Sequence, residues 1–190
     1  MILTKNEEAK LLDAMAMKEY GIPEMVLMEN AGASVVRLTE PFVDWDDAFT
    51  VILCGTGNNG GDGFVAARYA AGLGAKVLVL LMGNEAHMSE SSKLYRHTAE
   101  KMGIPVIPVS KAEEGAPYIH EADILVDALI GTGLSSEVKG EKAALIGLVN
   151  EARGIIISVD VPSGMMTDTG RAAGVVVDAD YTVALGSIKR

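Results

Sequence analysis

Three short segments of the sequence carry residues whose types and spacing suit ligand chemistry. They are Gly55-Thr56-Gly57-Asn58-Asn59-Gly60-Gly61-Asp62-Gly63, Asp127-Ala128-Leu129-Ile130-Gly131-Thr132-Gly133 and Asp160-Val161-Pro162-Ser163-Gly164. Gly55, Gly57 and Gly60 satisfy G-x-G-x-x-G, the spacing that lets backbone amides approach a dinucleotide pyrophosphate. The loop adds two adjacent Asn, Asn58 and Asn59, and then Asp62 at the expected helix start, where a carboxylate would repel a phosphate. The spacing therefore suggests amides that face a ligand while side chains recognise hydroxyls, an amide or a cation. The plainer alternative, Asp62 as a helix cap behind a tight turn, needs fewer glycines than the segment holds. Asp127 and Asp160 stand at or near the ends of apolar runs, where a carboxylate is costly unless it is paired, hydrated or bound to a cation. Each could instead cap a turn.

Other chemistries lack their residues. There is no G-x-x-x-x-G-K-[ST], which argues against ATP hydrolysis, and no G-x-S-x-G, so Ser163 reads as an oxygen ligand or a turn residue rather than a hydrolase nucleophile. His87, His97 and His120 fall outside the three segments and show no zinc-binding spacing. Cys54 sits inside an apolar run and reads as a small buried hydrophobe.

Hydrophobic periodicity supplies the elements that must position these segments. Thr4 and Glu7 have capping-box spacing ahead of Leu11, Leu12 and Met15. A second helix carries Leu27, Ala31, Val35 and Leu38 between the Gly21-Ile22-Pro23 turn and Pro41, and its Met28-Glu29-Asn30-Ala31-Gly32-Ala33 stretch is small enough to pack against the site loops. Continuous apolar runs follow at Phe49 to Cys54, Val77 to Met82, Ile104 to Val109, Ile124 to Leu129, Ile155 to Val159, Val175 to Val177 and Tyr181 to Leu185. Such runs suit strands covered on both faces, as in a parallel sheet between helical layers. Helices are expected over 62–73, 88–102 and 140–152. The order predicts a single α/β domain over 1–190 with an N-terminal helical segment, and places the three segments at strand carboxyl ends, where open α/β sheets bind ligands.

Composition narrows the class. The 16 Lys and Arg against 26 Asp and Glu give a net charge of −10, which argues against nucleic acid as a partner. No apolar run approaches the ~20 residues of a membrane span. A single cysteine and a charged start without a secretory core predict a soluble protein in the reducing cytoplasm. The 21 glycines exceed the usual ~7%, and setting aside Gly55, Gly57, Gly60, Gly61, Gly63, Gly131, Gly133 and Gly164 returns the remainder to that level. The excess thus reads as a binding-site signal.

Taken with Leu27-Met28-Glu29-Asn30-Ala31-Gly32, the three segments resemble, in order and separation, the NAD(P)H-hydrate epimerase family, the YjeF N-terminal domain. The resemblance implies a three-layer αβα Rossmann-like fold with a mostly parallel central sheet, and a homodimer. It also implies interconversion of the R and S epimers of hydrated NADH or NADPH, which a separate ADP- or ATP-dependent dehydratase then returns to the intact cofactor. By matching positions, the substrate would be bound by Asn58, Asn59, Gly60, Gly61 and Asp62, by Gly131, Thr132, Gly133, Leu134, Ser135, Ser136 and Glu137, and by Asp160. The ligands of a potassium ion would be Asn59, Asp127 and Ser163, all oxygen-bearing as a hard cation requires. Asp160 is the expected acid/base residue. The family often carries a lysine after the second strand, where this chain reads Gly83-Asn84-Glu85-Ala86-His87. Two rival readings are a non-catalytic scaffold of the type found in messenger-RNA decapping proteins and an NAD-dependent oxidoreductase. Retention of Asn59, Asp62, Asp127, Asp160 and Ser163 weighs against the first, and the lack of a hydride-transfer constellation against the second.

Overall fold

A computed structural model describes residues 3–189; Met1, Ile2 and Arg190, the ends of the single-domain reading, lie outside the described residues. In chain order the elements are β1 (Leu3–Thr4), α1 (Asn6–Lys18), α2 (Glu24–Thr39), β2 (Phe49–Cys54), α3 (Asn58–Gly72), β3 (Lys76–Met82), α4 (Glu90–Lys101), β4 (Val106–Val109), α5 (Ala112–Glu121), β5 (Ile124–Ala128), α6 (Gly140–Asn150), β6 (Ile155–Val159), β7 (Met165–Met166), β8 (Arg171–Ala172), β9 (Tyr181–Val183) and β10 (Ile188–Lys189). The central sheet runs β4-β3-β2-β5-β6-β9, with every neighbouring pair parallel. β1 and β10 form a separate parallel pair, and β7 and β8 a small antiparallel one.

Both faces of the sheet are covered, which is why its strands read as unbroken apolar runs. Ile52 and Cys54 of β2 pack with Val35, Val36, Phe64 and Tyr95 of α2, α3 and α4. Their neighbours Val51 and Leu53 pack on the other face with Ile119, Leu145 and Ile146 of α5 and α6. The fold is thus a three-layer α/β sandwich with a parallel sheet, as expected. Among the described residues no helix is long and apolar enough to cross a membrane.

Several local expectations change. The first helix is capped one residue later than the spacing suggested: Lys5 N–H bonds to Glu8 Oε2 at 2.7 Å, while Thr4 lies in β1 with its Oγ1 2.5 Å from Ser187 Oγ. Val175 to Val177 is not a strand; that segment runs beneath the 163–164 turn, where Val177 N–H bonds to Ser163 O at 2.9 Å and Val177 is buried. The helix α5 escaped the hydrophobic pattern because Gly115 and Pro117 interrupt it. Gly115 lets that helix lie close to Leu80, where a Cβ would crowd the leucine methyl.

The helix α3 begins at Asn58 rather than residue 62, so Asn58, Asn59, Gly60 and Gly61 form its first turn. Asp62 lies inside the helix, and the cap position belongs to Gly57. Glycine inside a helix costs about 1 kcal/mol relative to alanine, and close packing offsets that here. A Cβ on Gly60 would collide with the Gly55 carbonyl, and one on Gly63 with Ala128 and Cys54. Part of the glycine excess therefore serves helix-to-strand approach beneath the ligand loops. Gly60→Ala is expected to lower stability by about 1–3 kcal/mol, as overpacking against backbone does. The check is a lower urea midpoint at unchanged slope.

Candidate active site

Between β2 and β5 the strand order reverses, and the crevice outside their carboxyl ends is where such sheets bind ligands. A cavity of about 930 Å³ opens there, floored by the segments after β2, β5 and β6 and walled by α1 and α2. α2 lies close because Gly32 rests on the Asp62 carbonyl and Val65. Glu29 fixes the pair of helices through Arg68 Nη1 at 2.8 Å and Tyr69 Oη at 3.0 Å.

Below the floor, Asp127 is fully buried at the end of β5. Ser163 Oγ donates to its Oδ1 at 2.5 Å and Leu129 N–H to the same oxygen at 3.3 Å, while Ser158 Oγ and Ser163 N–H each donate to Oδ2 at 2.8 Å. Burial pushes this carboxyl above its usual range, and those hydrogen bonds oppose the shift. Ser163 Oγ also accepts Ile130 N–H at 2.9 Å, which ties the turn after β6 to the loop after β5. Asn59 stands on the other side of that loop, against Gly131, and its Nδ2 is buried with no partner among the described residues. Because the two amide atoms are interchangeable by a flip, the carboxamide oxygen can occupy that orphan position. Amide, carboxylate and hydroxyl oxygens thus surround one loop. That donor chemistry fits a hard cation, and a positive charge would relieve the buried carboxylate.

Above the floor, Asp160 adopts φ +66°, a left-handed conformation uncommon outside glycine that aspartate tolerates better than most residues. Its N–H bonds to Val183 O at 2.8 Å, and its Oδ1 accepts Leu185 N–H at 3.0 Å and Lys189 Nζ at 2.5 Å. Asp62, half-buried nearby, is pushed well above the usual carboxylate range by burial and by the Asp160 and Asp13 carboxylates, with Lys189 opposing. Asp13 of α1 is raised by burial, an effect that Lys189 opposes and Asp160 reinforces.

Of the residues anticipated from sequence, Asn58, Asn59, Asp62, Gly131, Thr132, Gly133 and Asp160 line the cavity. Asp127 and Ser163 lie buried beneath it. Gly60 and Gly61 do not reach the lining and face the Gly55 backbone and Met28 with Ser92. Leu134, Ser135, Ser136 and Glu137 also stand outside the lining, and Glu137 pairs with Lys139 at 3.0 Å. Sequence reasoning missed Lys189, Asp13 and Asn6, which reach the site from elements near the two ends. Asn6 Nδ2 holds the Thr132 carbonyl at 2.7 Å. No periodicity marks such residues; the one signal was a lysine in the short Gly186-Ser187-Ile188-Lys189 segment. His87, His97 and His120 stay outside the lining, and Cys54 is buried with its thiol pushed up by burial.

Comparison with known proteins places this geometry among relatives. The family described as "YjeF-related protein N-terminus" matches residues 24–190. A bifunctional NAD(P)H-hydrate repair enzyme Nnr of Thermofilum pendens is 42% identical over 188 residues, covering 98% of this chain and 36% of the relative. An NAD(P)H-hydrate epimerase of Rhodopirellula baltica is 35% identical over 178 residues, covering 94% of this chain and 72% of the relative. The crystal structure of yeast YNL200c superposes with a TM-score of 0.88 at 24% identity, covering 100% of this chain and 82% of that one, and so shares the fold. The chain spans little more than a third of the bifunctional relative's length.

Two outcomes test the electrostatics. Asp127→Ala strands Ser158, Ser163 and two backbone donors, and is expected to cost about 3 kcal/mol or more in urea unfolding, with Asp127→Asn recovering part of it. Asp62 carries a folded pKa above its unfolded value of about 3.9. Between the two values the folded state binds more protons, so ionisation subtracts stability as pH rises through that interval. Asp62→Asn should match wild type below about pH 4 and exceed it in stability at higher pH, as read from urea midpoints across a pH series.

Proposed function

Since the chain belongs to the family of YjeF-related protein N-terminal domains, we propose that it is an NAD(P)H-hydrate epimerase, an isomerase that interconverts the R and S epimers of hydrated NADH or NADPH. The observation that carries the reading is Asp160, held in a left-handed backbone with its Oδ1 tied at 3.0 Å to Leu185 N–H, on the wall of a cavity at the sheet's reversal point. A carboxylate held in a sparsely populated backbone conformation at the edge of a cleft supports a role in chemistry. Neither the scaffold nor the oxidoreductase reading is favoured, because the relatives carry epimerase and repair names.

In this reading Asn58, Asn59, Asp62 and the Gly131–Gly133 stretch bind the substrate, and Asp160 acts as acid/base at the hydroxyl-bearing ring carbon. The carbon–oxygen bond breaks as the ring nitrogen donates its electron pair, and water returns from the opposite face of the iminium-like ring. The positive charge that develops on such an intermediate suits a cavity lined by the acidic residues Asp62 and Asp160. Asn59, Asp127 and Ser163 would hold potassium, which when bound supplies a fixed positive charge beside the buried carboxylate.

The same proposal includes a homodimer, a cytoplasmic location and a separate ADP- or ATP-dependent dehydratase that consumes one epimer. Leu11, Leu38 and Phe42, each at least 60% exposed, offer apolar surface to a second copy. The whole of 1–190 would act as one domain.

The direct test incubates the protein with one enriched epimer of hydrated NADH and follows the epimer ratio by chromatography, with and without potassium. Acceleration over the spontaneous rate is expected. Asp160→Asn should lose about 100-fold or more of it while keeping the wild-type circular dichroism spectrum. Undiminished activity in that variant would remove Asp160 from the mechanism.

A further inference from the structure

Lys189 is the one cation in ion-pair contact with Asp160 among the described residues, and its placement is elaborate. It comes from β10, which pairs with β1 in the register Leu3↔Ile188 and Thr4↔Lys189. Thr4 Oγ1 reinforces that pairing 2.5 Å from Ser187 Oγ. The Lys189 side chain is only 7% exposed, and its Nζ donates to Asp160 Oδ1 at 2.5 Å and to Leu185 O at 2.6 Å. Leu185 returns its own N–H to the same Oδ1. An ammonium carries three N–H donors. The third finds no acceptor among the described residues, and Lys189 lines the cavity beside Asp160.

A buried ion pair is a poor device for simply fastening a strand, since apolar contacts do that at lower cost. A cation whose spare donor borders a ligand cavity is better explained by the ligand. We propose that Lys189 is a catalytic residue of the epimerisation put forward above, the acid that protonates the departing hydroxyl while Asp160 is the base for the returning water.

The inference rests on that reading and its steps balance. The ring carbon–oxygen bond breaks as the ring nitrogen's electron pair forms a carbon–nitrogen double bond, and an Lys189 N–H proton joins the leaving oxygen, so water departs and Lys189 is left a neutral amine. Because Lys189 and Asp160 touch and so meet the ring from one side, the planar ring turns over in the cavity, water adds to the face now presented to the pair, the double-bond electrons return to nitrogen, and Asp160 takes the proton that the water loses. Proton transfer along the Asp160–Lys189 hydrogen bond restores carboxylate and ammonium. Nothing is consumed.

The test compares wild type with Lys189→Met, which keeps the apolar stem, and Lys189→Arg, which keeps the charge but holds its proton. With wild type active on a single epimer of hydrated NADH, Lys189→Met should lose about 100-fold or more in kcat. Its KM should stay within about threefold, the pattern of an interaction made in the transition state. Ethylamine added to the assay should restore part of the rate, and Lys189→Arg should remain as slow as Lys189→Met. Wild-type kcat in a folded Lys189→Met, or full activity in Lys189→Arg, would overturn the assignment and leave Lys189 a positioning residue. Where Lys189→Met loses its near-ultraviolet circular dichroism, the Arg variant decides alone: a loss of about 100-fold supports the proposal and full activity sinks it. A wild-type protein that does not accelerate interconversion removes the epimerase reading itself, and this inference with it.

Discussion

A carboxylate sealed inside a protein must be satisfied by its neighbours, and Asp127 imposes that demand at the centre of the sheet. Its four donors come from Leu129 of its own loop, from Ser158 of β6 and from the side chain and backbone of Ser163. Meeting the demand draws the turn after β6 against the loop after β5. Ile130 and Asn59 are then placed by that loop, the first through Ser163 Oγ and the second by contact with Gly131. Asp160 enters on the same turn, three residues before Ser163. The upper, solvent-reaching part of the site is therefore built upon a lower, dry part.

The two parts are held with different strength. The floor belongs to strands and helices whose side chains are fully buried, whereas α1 contributes no buried residue and yet walls the cavity with Asp13. What retains α1 is a set of polar ties: Asn6 N–H to Asp168 Oδ1 at 2.8 Å, Asn6 Nδ2 to Thr132 O, and the short β1–β10 pairing. Segments with few buried contacts open at low free-energy cost. The site thus has one face built on buried strands and helices and another held by polar ties alone.

Much of this was legible in the sequence because burial on two faces writes itself as continuous apolar runs. The strands β2 and β6 begin and end at the residues where their runs do, and the three ligand segments follow the strands that periodicity assigned. The departures have physical causes. Val177 is buried and Val175 partly buried under the 163–164 turn, and apolarity alone does not separate such a loop from a strand. Gly60, Gly61 and Gly63 pointed to ligand loops, whereas the packing of α3 claims them, Gly60 and Gly63 against the ends of β2 and β5 and Gly61 against Met28 of α2 and Ser92 of α4. Lys189 and Asn6 left almost no trace, since their importance comes from a pairing between segments 183 residues apart.

That separation bears on how the protein comes to be folded. Closing a loop of such length costs entropy before any contact repays it, so the β1–β10 pairing is expected to form after the central sheet. Until then Asp160 waits on a finished β6 without its cation, beside Asp62 and Asp13, three acids gathered with no ion pair to hold them. Without that pairing the domain would have its core and its carboxylates but lack the lysine beside them. The β1–β10 pairing thus converts a folded scaffold into a complete charge arrangement.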